Sequence, residues 1–295
     1  MRRLNVRLFR LGLVFMGLFF SMAHADETYP QRIVALSPHS VEMLFELGAG
    51  ERIIATTEYA DFPEAAKAIP RIGGYHGIQI ERVMALQPDL IIAWDGGNPA
   101  RDLQRMEELG LPVYRSHTEA LADIPVALES LGELLGLAEQ GRAAAARFKE
   151  KWQAIRDQHA DKPPVRFFYQ LWADPLKTMA AGSWINELLT SCGGINIFNQ
   201  PDWDYPQVST ETVLLQAPEA IIVPSHHGRA IDITTQWGAW PEIPAVANGH
   251  IYFINGDWLH RFSTRVIDGM QAICSAFDKV RAQRQSHLSS ATGNK

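Results

Sequence analysis

The chain has 295 residues, of which 46% are apolar and 20% are charged, and its formal net charge is −6. That length can bury one large core or two ordinary ones, and the apolar fraction excludes a disordered chain. Two cysteines are too few for a disulfide scaffold or a multi-cysteine zinc array. The acidic balance argues against a nucleic-acid-binding face.

Residues 1–25 have the pattern of a secretory signal peptide. Four arginines precede the apolar run Leu11 to Phe20, and Ala23-His24-Ala25 supplies small residues at its end. Because the run is short for crossing a bilayer, a cleaved signal is favoured over a retained anchor. We therefore expect a periplasmic protein in which Cys192 and Cys274 form a disulfide, with two buried free thiols as the alternative.

From residue 31 onward, short apolar runs alternate with helical patterns. Residues 33–36, 53–57, 90–94 and 112–114 are typical of buried strands. Ser37-Pro38 supplies a helix start and Gly48 a helix end. Strands separated by helices predict a parallel sheet, and hence an α/β lobe over residues 31–136.

A long helix is predicted over residues 137–160. Residues 138–160 contain no proline and one glycine, and the segment ends at Asp161-Lys162-Pro163-Pro164. Strand patterns then return at residues 165–170, 220–223 and 250–254. We expect a second α/β lobe over residues 164–284, joined to the first by this single helix, and a flexible polar tail over residues 285–295.

An internal similarity supports two related lobes. Residues 80–83 and 88–92 resemble residues 210–213 and 218–222 at a constant offset of 130, and residues 110–114 resemble 249–253. An internal repeat of this kind indicates that the fold is built from two similar units. Chance similarity between generic α/β units is the alternative.

Motifs typical of enzymes are absent, and the histidines offer the only metal-site candidate. No nucleophile elbow, Walker loop, G-x-G-x-x-G or H-E-x-x-H occurs. His226 and His227 follow a predicted strand and could bind a metal together with His76, His260 and Asp257. A secreted metal-dependent hydrolase is therefore an alternative, although a solvated loop explains the two adjacent histidines more simply. We expect a protein that is not an enzyme and has no cofactor.

Aromatic residues at predicted strand ends give a stronger signal. They lie at or just after a strand, or in loops rich in Gly, Pro and Asp, and they are Tyr59, Tyr75, Trp94, Trp172, Tyr205 and Trp258. Any one of them could serve packing alone. As a set, they predict a wide cleft between two lobes for a large, partly apolar ligand.

These features belong to a recognisable pattern over about residues 32–277. Its motifs are Leu36-Ser37-Pro38, Tyr59-Ala60-Asp61-Phe62-Pro63, Ile80-Glu81-Arg82, the run from Pro88 to Trp94, Gly96-Gly97-Asn98, Cys192-Gly193-Gly194, Asn196-Ile197-Phe198, Pro206-Gln207-Val208-Ser209 and Asp257-Trp258 with Arg261. The chain resembles the periplasmic cobalamin-binding proteins that supply an ABC importer, within the class III periplasmic binding proteins.

The resemblance implies a ligand site and a disulfide. Cobalamin, as a transported ligand, would contact Tyr59, Tyr75, Trp94, Trp172, Tyr205, Asp257, Trp258, Leu259, His260 and Arg261. Tyr75 and Tyr205 stand where well-known members carry tryptophan, which leaves the preferred corrinoid open. Members hold the cobalt without a protein ligand, and Cys192 and Cys274 match the disulfide positions of the family.

The resemblance also implies a membrane partner. Glu81 and Glu211 lie in the first turn of two equivalent predicted helices, where the helix dipole alone stabilises an acid. In the family these acids dock onto arginines of a permease dimer that works with ATPase subunits, so we expect a monomer with one acid per lobe. A haem, ferric-siderophore or metal-ion carrier on the same fold is the alternative.

Overall fold

The computed structural model describes residues 29–200, 205–225 and 234–292. The predicted signal peptide, His226, His227 and residues 293–295 lie outside these ranges. Within them, no helix combines the length and the apolar character that crossing a bilayer requires.

The N-terminal lobe precedes the long central helix. Its strands are β1 (Ile33–Ala35), β2 (Ile53–Thr56), β3 (Gly73–Gly74), β4 (Gly77–Ile78), β5 (Leu90–Trp94) and β6 (Val113–Ser116). Its helices are α1 (Pro38–Glu46), α2 (Ile80–Leu86), α3 (Ala100–Glu108) and α4 (Asp123–Leu134). The main sheet is parallel in the order β2-β1-β5-β6, and β3 and β4 form a small antiparallel hairpin.

Helix α5 (Ala138–His159) carries the chain into the C-terminal lobe. The strands there are β7 (Val165–Tyr169), β8 (Trp172–Ala173), β9 (Leu176–Lys177), β10 (Gly194–Asn196), β11 (Ala220–Ser225) and β12 (Ile251–Asn255). The helices are α6 (Trp184–Thr190), α7 (Thr210–Gln216), α8 (Thr234–Trp237), α9 (Pro244–Ala247), α10 (Gly256–His260) and α11 (Val266–Thr292). The second main sheet is parallel in the order β10-β7-β11-β12, and β8 and β9 form a hairpin.

The two main sheets have the same strand order, which confirms the predicted pair of similar lobes. Helices α2 and α7 each end on a residue in the left-handed region, Gln87 at φ 47° and Ala217 at φ 45°. An acid directly precedes the next strand in both lobes: Asp89 accepts from the backbone N–H of Arg32 at 2.8 Å, and Glu219 from that of Arg166 at 3.0 Å. The repeat seen in the sequence is therefore a repeat of structure.

The side-chain alternation of the strands divides the core into layers. In β1, Ile33 and Ala35 join one large core that also contains Phe148 of α5 and Phe167 of β7. Val34, between them, faces a smaller core that belongs to the N-terminal lobe. Phe168 similarly faces a core of the C-terminal lobe. Because side chains alternate across a strand, one face of each sheet packs on the shared core that passes through α5.

The C-terminal helix α11 is held to its lobe by the Cys192–Cys274 disulfide, which confirms the predicted pairing. Both cysteines are buried. The helix continues through Thr292, so residues 285–292 are helical where the sequence predicted a flexible tail. A run of polar residues without proline permits an exposed helix as readily as a coil.

Candidate ligand-binding cleft

A cavity of about 800 Å³ opens between the two lobes. It is lined by Trp94, Asp95, Gly96, Thr118 and Glu119 of the N-terminal lobe and by Leu171, Gly182, Ser183, Trp184, Ile185, Tyr205, His260 and Phe262 of the C-terminal lobe. Many of these residues follow the carboxyl ends of parallel strands, where the strand order reverses and α/β sheets bind their ligands. The volume lies near the upper end for small-molecule sites, so the cleft suits a large ligand.

Three aromatic rings from the two lobes line this cavity, and we call Trp94, Trp184 and Phe262 the aromatic floor. Trp184 and Phe262 lie with ring centroids 4.2 Å apart and an interplanar angle of 31°. Trp94 meets Phe262 edge to face at 6.2 Å. Such rings offer a broad apolar surface at little entropic cost. The floor therefore favours a ligand with an extended flat or apolar face.

A glycine turn holds Trp94 at the end of β5. A Cβ on Gly97 would lie within 1.9 Å of the Trp94 ring, so only glycine fits there without displacing the indole. The Asn98 side chain then accepts from the Trp94 backbone N–H at 2.7 Å and donates to the Leu36 carbonyl at 2.8 Å. The Gly-Gly-Asn motif thus ties the tryptophan to the neighbouring strand.

His39 lies against the aromatic floor. Its ring is 5.0 Å from Trp94 and 6.1 Å from Phe262, edge to face in both cases, and its side chain is buried. Burial, helped by the positive charge of Arg261, lowers the pKa of His39 to about 3. The imidazole is therefore neutral at ordinary pH and acts as a packing ring.

The resemblance assigns the segment from Asp257 to Arg261 to the ligand. In the structure, the side chains of this segment lie in different environments. Only His260 lines the cavity, with its Nε2 atom 2.7 Å from the hydroxyl of the buried Tyr169. Burial raises the pKa of Tyr169 well above its ordinary value, so that hydroxyl is protonated. Leu259 is buried in the core, and Trp258 is half-buried against it. Neither side chain lines the cavity.

Arg261 joins a buried group of charges between the lobes. Its Nη1 atom donates to Glu42 Oε1 at 2.8 Å, and Arg265 Nη1 donates to the same oxygen at 2.9 Å. The Ser263 hydroxyl donates to the other carboxylate oxygen of Glu42. We call Glu42, Arg261, Ser263 and Arg265 the interlobe cluster, because Glu42 belongs to α1 and the other three belong to the C-terminal lobe.

The remaining aromatic candidates are exposed. Tyr205 lines the cavity, and the Ser183 hydroxyl donates to its hydroxyl at 3.4 Å. Tyr75 is 69% exposed in the hairpin of β3 and β4, and Trp172 is 62% exposed in the hairpin of β8 and β9. Tyr59 is 53% exposed. Of the predicted ligand residues, the structure therefore brings Trp94, Tyr205 and His260 together around the cavity.

The histidine metal site of the hydrolase alternative has no support in the described ranges. His226 and His227 fall in the gap between residues 225 and 234. Among the residues that the structure describes, no group of three or more His, Cys, Asp or Glu side chains is placed to hold a metal ion.

Sequence reasoning missed Trp184, Phe262, His39 and Glu42. The signal for Trp184 was its place directly after Ser183, whose side chain caps α6 by accepting from the Ile185 backbone N–H. Phe262 directly follows the motif residue Arg261. Both rings resembled ordinary core positions in the sequence, and only the second lobe makes them part of a cavity.

Glu81 and Glu211 occupy corresponding positions on the surfaces of the two lobes. Each is exposed in the first turn of its helix, α2 or α7. Hydrogen bonds from its own backbone N–H and from Ser209 lower the pKa of Glu211. Both acids therefore lie on the surface, one on each lobe.

Two α/β lobes of one topology, joined by a long helix and enclosing a cavity between them, have the architecture of a two-lobed solute-binding protein. The chain belongs to the periplasmic binding protein family, whose model matches residues 33–257. Its architecture is that of the class III members, and the family consists of binding proteins.

One relative by sequence and two solved structures allow a closer comparison than the family as a whole. A vitamin B12-binding protein of Vibrio campbellii is 38% identical over 282 residues, which is 95% of this chain and 100% of that protein. The crystal structure of the periplasmic vitamin B12-binding protein of Vibrio cholerae has a TM-score of 0.75 at 36% identity, covering 85% of this chain and 98% of that one. A periplasmic heme-binding protein of Roseiflexus reaches a TM-score of 0.76 at 21% identity, with coverage of 85% and 99%, and so shares the fold.

Proposed function

We propose that this protein binds cobalamin in the cleft between its lobes and delivers it to an ABC importer of the inner membrane. The observation that carries the proposal is the aromatic floor, where Trp94 of one lobe and Trp184 and Phe262 of the other line a single cavity of about 800 Å³. A corrinoid has a broad, partly apolar macrocycle, which such rings can cover. The relatives named for vitamin B12 support the same ligand.

The exposed rings then acquire a role. Tyr59, Tyr75 and Trp172 would pack against the parts of the ligand that extend beyond the aromatic floor. Tyr205 and His260 would contact the ligand inside the cavity. Burying the apolar surface of such rings stabilises a complex in proportion to the area removed from water. In this proposal His260 contacts the ligand beside Tyr169 and is not a ligand of the cobalt.

Calorimetric titration of the mature protein tests the ligand. We expect one-to-one binding of cyanocobalamin with a negative heat-capacity change, since apolar surface is buried. Haemin and a ferric siderophore, the ligands of the alternative carriers with this fold, serve as comparison ligands. Both should bind at least tenfold more weakly than cyanocobalamin. Preferential binding of haemin, or no binding of cyanocobalamin, would contradict the proposal.

Delivery is proposed to depend on Glu81 and Glu211, one acid from each lobe. Their matched placement on α2 and α7 suits a partner made of two similar permease subunits, and exposed charges of this kind set orientation and association rate. The protein itself would act as a monomer that presents both acids at once.

The double variant Glu81→Lys/Glu211→Lys should abolish cobalamin uptake in proteoliposomes containing the importer while leaving Kd within about twofold. Glu139→Lys/Glu150→Lys, which reverses two exposed acids on α5, is the matched control and should transport normally. Equal loss in both variants would indicate a general effect of charge and reject the docking role.

A further inference from the structure

The N-terminal side of the cavity carries a group of polar side chains that includes two carboxylates. Asp95, Thr118 and Glu119 line the cavity on this side, and we call them the acidic wall. Asp95 directly follows β5, and the other two residues follow β6, the neighbouring parallel strand. The acidic wall therefore lies at the carboxyl ends of two adjacent strands, next to Trp94 of the aromatic floor.

Backbone hydrogen bonds fix the two loops that carry the acidic wall. The Asp95 backbone N–H donates to the Ser116 carbonyl at 2.9 Å, one bond beyond the end of β5. The Asp123 carboxylate accepts from the backbone N–H groups of Glu119 at 2.9 Å and of Ala120 at 2.8 Å. The acidic wall is thus held in place before any ligand arrives, which lowers the ordering cost of binding.

The neighbouring cation, Arg115, does not neutralise the acidic wall. Its Nη1 atom lies 3.3 Å from Asp95 Oδ1, but its Nε and Nη2 atoms donate to the two carboxylate oxygens of Glu107 at 2.7 and 2.9 Å. One guanidinium balances one of these two carboxylates. His117 lies 3.6 Å from Glu119 and carries a charge only when it is protonated. The local sum is therefore negative while His117 is neutral.

Arg261, which the resemblance assigns to the ligand, does not reverse the charge of the cleft. The carboxylates of Glu42, Asp61 and Asp257 lie 2.8, 3.0 and 2.9 Å from its guanidinium nitrogens. Arg265 shares the Glu42 carboxylate, so two guanidinium groups meet three carboxylates. A ligand contact by Arg261 is compatible with these ion pairs, and their summed charge is −1.

Thr118 adds an uncharged polar group to the acidic wall. Its side chain is buried, and within the described ranges its Oγ1 atom has no hydrogen-bond partner. A carboxylate only accepts hydrogen bonds, whereas a hydroxyl both donates and accepts them. The acidic wall therefore offers mainly acceptors, which suit the N–H groups of amides.

The two macrocycles considered for this cleft differ in the charge of their side chains. Cobalamin carries amides around its corrin ring, whereas haem carries propionates. An amide can donate to a carboxylate of the acidic wall without repulsion between charges. A propionate is repelled there, and the repulsion is stronger in a partly desolvated cleft than in open water.

We propose that the acidic wall makes the cleft select a macrocycle whose peripheral side chains are amides and reject one whose side chains are carboxylates. This inference rests on the proposed function, in which cobalamin occupies the cleft. It names Asp95 and Glu119 as specificity-determining residues. Their charges act against the carboxylate-bearing competitor, which is one of the two ways in which a binding site gains specificity.

Cobalamin analogues that carry one added charge test this selection. Calorimetry at low salt gives Kd for cyanocobalamin and for the set of its monocarboxylic acids, in each of which one propionamide is hydrolysed to a propionate. We expect at least one of these acids to bind the wild type about tenfold more weakly than cyanocobalamin, because like charges repel. In Asp95→Asn/Glu119→Gln that ratio should fall to about threefold or less, while Kd for cyanocobalamin changes by less than about threefold.

Two results of this titration would overturn the proposal. If every monocarboxylic acid bound the wild type as tightly as cyanocobalamin, the cleft would reject no carboxylate. If the ratio were the same in Asp95→Asn/Glu119→Gln as in the wild type, the loss would come from the missing amide and not from the acidic wall. The control Glu139→Gln/Glu150→Gln removes two exposed acids of α5 and should keep the wild-type ratio. An equal fall in the control would indicate net charge and reject the role of the wall.

Fluorescence quenching of the ligand-free protein tests the charge of the cleft without cobalamin. Trp94 and Trp184 both line the cavity, so the access of ions to these rings depends on the charge around them. The ratio of the Stern–Volmer constants for caesium and iodide, at constant ionic strength, should fall about twofold in Asp95→Asn/Glu119→Gln and stay unchanged in Glu139→Gln/Glu150→Gln. An unchanged ratio in the first variant would contradict the proposal. If the wild type did not bind cyanocobalamin, the proposed function would fail, and the quenching ratio would still decide whether the acidic wall controls the charge of the cleft.

Discussion

The aromatic floor and the interlobe cluster are two neighbouring junctions between the lobes with opposite chemistry. Phe262 belongs to the floor, whereas the adjacent residues Arg261 and Ser263 belong to the cluster. Arg261 is extended, with φ −113° and ψ 127°, so successive side chains point to opposite sides. The floor lines an open cavity and is available to a ligand. The charged groups of the interlobe cluster bind one another, and these contacts hold the two lobes together.

The largest effect is expected from breaking the cluster at Glu42. Glu42→Gln leaves Arg261 and Arg265 without their shared carboxylate, and removing one partner of a buried ion pair costs about 3–5 kcal/mol of unfolding free energy. Glu46→Gln, one helical turn away, disrupts a half-exposed pair with Arg147 and should cost at most about 1 kcal/mol. Urea unfolding measures both.

Equal destabilisation by Glu42→Gln and Glu46→Gln would show that burial of the cluster does not control its energy. That result would remove the main difference between the cluster and the surface ion pairs of the same helix.

The next effect is expected at the floor, on binding rather than stability. Trp94→Ala removes a ring that lines the cavity and should raise the Kd for cyanocobalamin about fiftyfold, as aromatic anchors often do. Trp152→Ala, on α5 and away from the cavity lining, is the control and should change Kd by less than about twofold. Calorimetry gives both values, and similar losses in the two variants would contradict a local role for Trp94.

His39 connects the two regions, because its ring packs on the floor and because burial, helped by the charge of Arg261, lowers its pKa. Its folded-state pKa is about 3 and its ordinary value is 6.5, so below pH 6.5 the unfolded state takes up a proton that the folded state refuses. Stability contributed by neutral His39 is complete above pH 6.5 and is lost as the pH falls toward 3, at about 1.4 kcal/mol per pH unit.

The variant His39→Gln lacks this titration. Between pH 6 and pH 5 it should lose about 1.2 kcal/mol less unfolding free energy than the wild type, measured from urea curves at each pH. Parallel pH profiles for the two proteins would show that His39 is protonated in the folded state or titrates normally.

The smallest effect is expected from the hydroxyl of Tyr205. Its only described hydrogen bond, from Ser183, is 3.4 Å long, so Tyr205→Phe should change the Kd for cyanocobalamin by less than about threefold. Tyr205→Ala, which removes the ring, should raise Kd more than tenfold. A large effect of Tyr205→Phe would mean that this side of the cleft recognises the ligand through polar contacts.

Much of the fold could be predicted from the sequence because its signals are local. The strand runs at residues 33–36, 90–94 and 165–170 correspond to β1, β5 and β7, and the proline-free segment corresponds to α5. The strand Gly194–Asn196 was missed because three residues, one of them glycine, carry no periodicity. The hairpins of β3–β4 and β8–β9 were missed because each of their strands is only two residues long.

The cleft was predicted less completely, since it depends on contacts between distant residues. Trp94 is an aromatic residue at the end of a predicted strand and is followed by a glycine turn. Both features can be identified in the sequence. Leu259 stands inside the Asp257–Arg261 segment that the resemblance assigns to the ligand, yet it is fully buried. A motif is a run of neighbours, and neighbours on a short helix point in different directions.

The sequence by itself determined the two-lobe architecture, the connecting helix, the cysteine pair and the presence of strand-end aromatics. These follow from periodicity, composition and spacing, which are local properties of the chain. Only the tertiary structure decided that Phe262 and Trp184 meet Trp94 across the cleft, and that Arg261 bonds to Glu42, 219 positions away. Such pairings are set by how the two sheets pack around α5, and no local pattern of residues encodes contacts between residues so far apart in the chain.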